Sequence, residues 1–371
     1  MWGKRTAAGL VLAITATVGG VGVFAPVARA GAPGEAIWGD VNGDGFIDRV
    51  FLGNVQPSSC AVIVEYGRPD GVLLPPTAYT YLRPGGTGPD IPCPDLGVAV
   101  DLTDDGIQEL VIAWSVGPPP TLSYNLRVLD NNFQPAFGLT ESIFAPQYMG
   151  IADFNGDGRP DVYAVSDEEG FATYLSLGDG TLTIGPKAWC SGPLDYLLYD
   201  WNRDGAVAAL LSYTDACTDH ANGVVHVTGN GSLQFLQHDP TGTRTWQSKV
   251  AFVNGDSWAD IRTVSDTGEV EYFIQPPGGG TFVKSPTANH DRVVVSDDRA
   301  VTIPVLANDY VTTSARLTIV EPPRYGTVQV TSSRTVVYRP NPDHRASDRF
   351  VYRVTEGTRS SNAAVNIRFT G

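Results

Sequence analysis

The sequence predicts an all-β protein of repeated four-stranded units followed by a sandwich, on three observations. A short acidic phrase returns five times along the 371 residues, and a second, mostly glycine-rich turn follows each copy about two dozen residues later. Beyond the N-terminal thirty residues no segment carries a 3.6-residue apolar rhythm; short apolar runs bounded by turn residues fill the chain instead.

The phrase reads DVNGDGFID at 40–48, DLTDDGIQE at 101–109 and DFNGDGRPD at 153–161, then fades to DWNRDGAVA at 200–208 and FVNGDSWAD at 252–260. Oxygen donors stand at places one, three, five and nine, with Gly at six in the first four copies. Alternate side chains of such a loop converge on a hard cation, and the Gly supplies the left-handed turn. The expected ligands of the first loop are Asp40, Asn42, Asp44, the Phe46 carbonyl and Asp48. Those of the second are Asp101, Thr103, Asp105, the Ile107 carbonyl and Glu109; those of the third are Asp153, Asn155, Asp157, the Arg159 carbonyl and Asp161. The fourth keeps Asp200, Asn202 and Asp204 but has Ala208 at its closing place. The fifth begins with Phe252 and carries Ser257 in place of Gly, which reads as a turn without metal. Calcium is the implied cofactor. Asn-Gly and Asp-Gly are also ordinary hairpin turns, but three near-complete copies in one register argue for more than turning. A helix–loop–helix site is excluded, because its twelfth-place Glu is replaced by Phe51, Ile112, Ala164 and Leu211.

Each loop lies between apolar, strand-like runs, such as 36–38 before the first and 50–52 after it. The second turns fall at 67–71, 130–132, 178–181, 229–232 and 278–281, so each unit reads as two consecutive hairpins. Successive units start 61, 52, 47 and 52 residues apart. Four-stranded units at this period point to a β-propeller of about five blades. The phrase D-x-N-G-D-G-x-x-D with a later G-D-G-T resembles the FG-GAP/VCBS repeat of integrin α-chains and many secreted bacterial proteins, over roughly Ala36 to Lys284. Propellers of that family often have seven blades, which leaves five to seven open here.

Lys4 and Arg5, an apolar stretch from Ala7 to Val27 and Ala28-Arg29-Ala30 read as a secretory signal peptide cleaved after residue 30. Nothing after it reads as a membrane span, so the product is expected outside the cell, released or loosely held at its surface. Four cysteines in an exported chain suggest two disulfides, with the local pairs Cys60–Cys93 and Cys190–Cys217 favoured. Residues 31–285 hold 11 Lys+Arg against 32 Asp+Glu, whereas 286–371 hold 11 Arg against 8 acids. An anionic body argues against nucleic acid and acidic membranes as partners.

From residue 286 to 371 the pattern changes to seven short alternating strands, an antiparallel β-sandwich. VLAND at 305–309, PRYGTV at 323–328, YRPN at 338–341 and DRFVY at 348–352 resemble the bacterial Ig-like, cadherin-like modules of surface adhesins. Asp291 and Asp309 read better as turn and strand-cap residues than as ligands. No catalytic motif stands out, so the leading function is a secreted calcium-binding, non-catalytic adhesion protein with an extracellular glycan or protein ligand. A polysaccharide-degrading enzyme on a propeller scaffold and a structural module of a cell-envelope assembly are the alternatives. Tyr79, Tyr81, Trp189, Trp201 and Trp258 are candidates for stacking on sugar rings, against the plainer role of core packing.

Overall fold

The computed structural model describes residues 32–370 apart from 57–58, 83–92, 117–122, 144–145, 167–169, 192–194, 218–219 and 296–298. The expected signal peptide lies outside them. The described residues form strands and turns, with no helix. Two compact units divide the chain, Met1–Trp246 and Gln247–Gly371. The change of pattern seen in the sequence near residue 285 falls inside the second.

The first unit is a series of antiparallel four-stranded meanders. The first holds β1 (Ile37–Gly39), β2 (Asp48–Gln56), β3 (Ser59–Glu65) and β4 (Thr77–Leu82). The second holds β5 (Leu96–Val100), β6 (Glu109–Val116), β7 (Ser123–Leu129) and β8 (Pro135–Ile143). The third holds β9 (Tyr148–Ala152), β10 (Asp161–Ser166), β11 (Gly170–Ser176) and β12 (Leu182–Ser191), and the fourth β13 (Asp195–Tyr199), β14 (Ala208–Cys217), β15 (His220–Val227) and β16 (Leu233–His238). Strand β12 also pairs with the end of β14, Cys190 opposite Cys217, so the last two meanders share one eight-stranded sheet.

Period-two alternation explains how these meanders stack. On β6, Leu110 and Ile112 join the core shared with the first meander, while Val111 and Ala113 join the core shared with the third. On β10, Val162 and Ala164 face the second meander, and Tyr163 and Val165 the fourth. Both faces of these strands are therefore apolar and buried, each large side chain contributing about 1.5–3 kcal/mol. The first strands β1, β5 and β9 lie against one another in chain order.

The second unit begins with a fifth meander, β17 (Trp246–Ala251), β18 (Asp260–Ser265), β19 (Val270–Ile274) and β20 (Val283–Lys284). Seven strands follow: β21 (Asp291–Val295), β22 (Val301–Ile303), β23 (Arg316–Glu321), β24 (Gly326–Val330), β25 (Val336–Pro340), β26 (Ser347–Glu356) and β27 (Arg359–Phe369). They form the sheets β21-β27-β26-β23 and β22-β25-β24 around a core that includes Ile303, Val336, Tyr338, Phe350, Tyr352 and Val365. The sandwich departs from the expected antiparallel pattern at one pair, since β21 runs parallel to β27.

Both disulfides form as paired from the sequence, Cys60–Cys93 and Cys190–Cys217. Closing loops of 33 and 27 residues, each restricts the unfolded chain by about 3–4 kcal/mol in the chain-entropy model.

Candidate metal sites in the acidic turns

Every copy of the acidic phrase connects the first strand of a meander to the second, and the later turns connect the third strand to the fourth. In the first loop, Asp40 Oδ1 accepts from Gly43 N (2.7 Å) and Asp44 N (3.2 Å), and its Oδ2 from Gly45 N (2.7 Å). Asn42 Oδ1 accepts from Asp44 N (3.0 Å) and Asp44 Oδ1 from Phe46 N (2.9 Å). The third loop repeats this, with Asp153 taking Gly156 N (2.7 Å) and Gly158 N (2.8 Å), Asn155 taking Asp157 N (3.0 Å) and Asp157 taking Arg159 N (2.8 Å). In the second, Asp101 accepts from Thr103 N and Gly106 N, and Asp105 from Ile107 N. The fourth keeps the weaker remainder, Asp200 with Gly205 N at 3.2 Å, Asn202 with Asp204 N at 3.4 Å and Asp204 with Ala206 N at 2.9 Å.

In the first four loops, places four and six both take the left-handed conformation. Gly43 and Gly45 have φ of 75° and 83°, Asp104 and Gly106 58° and 85°, and Arg203 and Gly205 58° and 92°. The sequence reading singled out only place six. Asp104 and Arg203 accept a conformation that costs a non-Gly residue about 1 kcal/mol.

The closing carboxylates carry a task that sequence reasoning did not assign. Asp48, fully buried, accepts from Val41 N at 3.0 Å and from Gly67 N at 2.8 Å. Asp161 accepts from Phe154 N and Ser176 N, both at 2.8 Å, and Asp260 from Val253 N (2.9 Å) and Gln275 N (3.1 Å). Glu109 accepts from Leu102 N (2.9 Å). Each thus ties place two of its own loop, and Asp48, Asp161 and Asp260 also tie the far end of the third strand. A usable signal existed, because place two is always apolar: Val41, Leu102, Phe154, Trp201 and Val253.

Charge accumulates around these buried groups. Burial, with the nearby Asp44 and Asp40, raises the Asp48 carboxyl above its ordinary range. Burial, with Asp105 and Asp101, does the same to Glu109, and burial with Asp153 and Asp157 pushes Asp161 up to about 6. Backbone donors oppose the rise in each case. Arg159 is the local counter-charge in the third loop, reaching Asp104 of the second at 2.9 Å and Asp157 at 3.4 Å. Asp200 Oδ1 is buried with no hydrogen-bond partner among the described residues.

Neighbouring loops are also bonded to one another. Asp40 N donates to Gln108 Oε1 (2.8 Å) and Gln108 N to Asp40 O (2.9 Å). Arg159 Nε donates to Asp104 Oδ2 (2.9 Å), joining the second and third loops, and Val207 N donates to Asp153 O (2.7 Å), joining the third and fourth. The first four loops therefore share one edge of the first unit, in chain order.

The donor set suits a hard divalent cation: side-chain oxygens at one, three, five and nine, and a carbonyl at seven, with no nitrogen or sulfur. Each carboxylate oxygen that accepts one N–H keeps a second lone pair. Among the described residues, no three His, Cys, Asp or Glu side chains converge closely enough to form a metal cluster as they stand. In the loop geometry described, the side chains of places one, three and five turn onto the loop's own N–H groups, except that the Thr103 hydroxyl donates to Glu109.

Of the five aromatic candidates, Tyr81 and Trp201 are core residues and Trp258 is half-buried. Tyr79 packs on Phe133 at 4.8 Å. Trp189 is 50 % exposed, with Lys187 Nζ 5.7 Å from its ring centre.

Residues 153–207 match the FG-GAP-like repeat model, and residues 284–368 the bacterial Ig domain model. No curated protein matches the chain. Among solved structures, the V. cholerae biofilm matrix protein Bap1 matches over 92 % of this chain and 68 % of that one, with 14 % identity and a TM-score of 0.33.

Proposed function

We propose that this chain is a secreted, non-catalytic binding or adhesion protein whose repeats form a propeller platform stiffened by calcium in the acidic turns. The observation that carries this is the edge of four hydrogen-bonded loops, in the first three of which a buried closing carboxylate faces the like charges of places one and five. A cation in each of the first three loops relieves that repulsion, held by Asp40, Asn42, Asp44 and Asp48, by Asp101, Thr103, Asp105 and Glu109, and by Asp153, Asn155, Asp157 and Asp161. The fourth loop, with Asp200, Asn202 and Asp204, is a weaker candidate. The face-to-face stacking of successive meanders, with first strands adjacent, supports the propeller reading. Secretion rests on residues 1–30 and agrees with the two disulfides.

Loops of this extracellular type hold calcium with Kd of order 10⁻⁴–10⁻³ M. At calcium tenfold above Kd each site adds about 1.4 kcal/mol to stability. The ligand is an extracellular glycan or protein. A panel of bacterial and plant glycans tests this half of the reading: saturable binding without product supports it, and the appearance of reducing ends overturns it.

A further inference from the structure

Residues 285–290 alone separate the fifth meander from the sandwich, and polar contacts span the join. Ser285 N donates to Tyr272 O (2.9 Å), and Ser285 Oγ to Glu356 Oε2 (2.9 Å). The other Glu356 oxygen accepts from Thr312 N (2.6 Å). Arg359, at the start of β27, pairs with Glu269 (2.8 Å) and with Glu271 of β19. Glu271 is only 7 % exposed and also pairs with Lys284 (2.9 Å), so one buried carboxylate meets two cations from opposite sides of the join.

The fifth loop is held from the same quarter. Phe252 stands where Asp40 and Asp153 gather the N–H groups of their loops. In its place, Val253 O accepts from Thr313 N of the sandwich at 2.7 Å. A Cβ on Gly255 would stand 3.3 Å from the Thr313 methyl, so loop and sandwich are in close contact.

We propose that the fifth repeat is the mount of the sandwich. The sandwich edge at 312–313 and 356–359 props the fifth loop and β19, supplying the support that a place-one carboxylate gives the first and third loops. The two elements then form one folding body, and the sandwich is carried rigidly instead of swinging on a spacer. The inference does not depend on calcium.

Hydrogen exchange of the full chain, read by mass spectrometry, tests it. Arg359→Ala removes the ion pairs and Thr313→Pro the N–H given to Val253 O. Each should speed exchange across 252–260 and 270–274 at least tenfold and leave 40–48 unchanged. Arg353→Ala, whose guanidinium meets Asn362 on an exposed face, is the control and should change neither segment. If Thr313→Pro also loosens 347–356, the sandwich itself is damaged and Arg359→Ala alone decides. Unaltered exchange at 252–260 and 270–274 in Arg359→Ala would overturn the proposal.

Discussion

The third and fifth acidic turns share one clamp and the bonds made by Asn155 and Asp157, and by Asn254 and Asp256, but differ at places one and six. Asp161 and Asp260 are both fully buried, and each takes an N–H from place two and another from the end of the third strand. The third loop adds Asp153 and Gly158; the fifth has Phe252 and Ser257, and Ser257 is not in the left-handed region. The place-nine acid therefore serves the sheet whether or not a cation is held, whereas places one and six serve the loop. The two faded copies erode on opposite sides of that division: the fourth keeps Asp200 and Gly205 and has Ala208 at place nine, whereas the fifth keeps Asp260 and has lost the other two.

The largest effect that could break this comparison is loss of the clamp. Asp161→Ala strands two buried N–H groups, Phe154 and Ser176, at about 1–3 kcal/mol each. Asp260→Ala does the same to Val253 and Gln275. Denaturant unfolding should show losses of several kcal/mol for both, and Asp260→Ala should lose as much in chelator as in calcium. Equal stability of Asp260→Ala and the parent would remove the clamp from the account.

Next in size is the cation. Chelation should lower the melting temperature of the parent, and Asp157→Ala should shrink that shift by one site, about 1.4 kcal/mol at calcium tenfold above Kd. Melting curves that coincide with and without chelator would contradict the calcium reading. The fourth loop sharpens the comparison from the other side. Ala208→Asp restores the missing closing carboxylate opposite Tyr199. It should enlarge the stabilisation that calcium gives the parent, by up to about 1.4 kcal/mol at calcium tenfold above Kd.

The smallest effect lies in the sandwich, where carboxylates serve no loop of this kind. Asp309 accepts from Asn289 N (2.7 Å) and from the buried Tyr352 hydroxyl (2.9 Å). Burial, opposed by those donors, pushes Asp309 up to about 6, and burial with the Asp309 charge pushes Asp291 to about 6 as well. Both folded values exceed the unfolded ones near 4, so the native state holds more protons between about pH 4 and 6. This contribution is complete below that window and is lost as pH rises through it. Protection of β26 against hydrogen exchange should be higher at pH 5 than at pH 7, and Asp309→Asn should flatten the difference.

Much of this was legible in the sequence because it is local. The five turns, the meander period and the seven sandwich strands follow from residues a few places apart, and the two disulfides from four cysteines in a chain read as exported. What the sequence hid is long-range. Gly67 and Ser176 give their N–H groups to carboxylates 19 and 15 residues away, and only the folded meander brings them there. The fusion of the third and fourth meanders rests on two residue pairs at Cys190 and Ser191. The parallel pairing of β21 with β27 joins residues more than seventy places apart. Asp104 and Arg203 at place four broke the glycine pattern that would have marked that position as left-handed.

Counting metal is the most direct trial of the account: the purified mature protein is equilibrated in millimolar calcium and its bound ions are measured per chain. We expect at least one ion for each of the first three loops, with Asp153→Ala holding one fewer. A chain that retains none under those conditions would leave the acidic turns as hydrogen-bonded hairpins and nothing more.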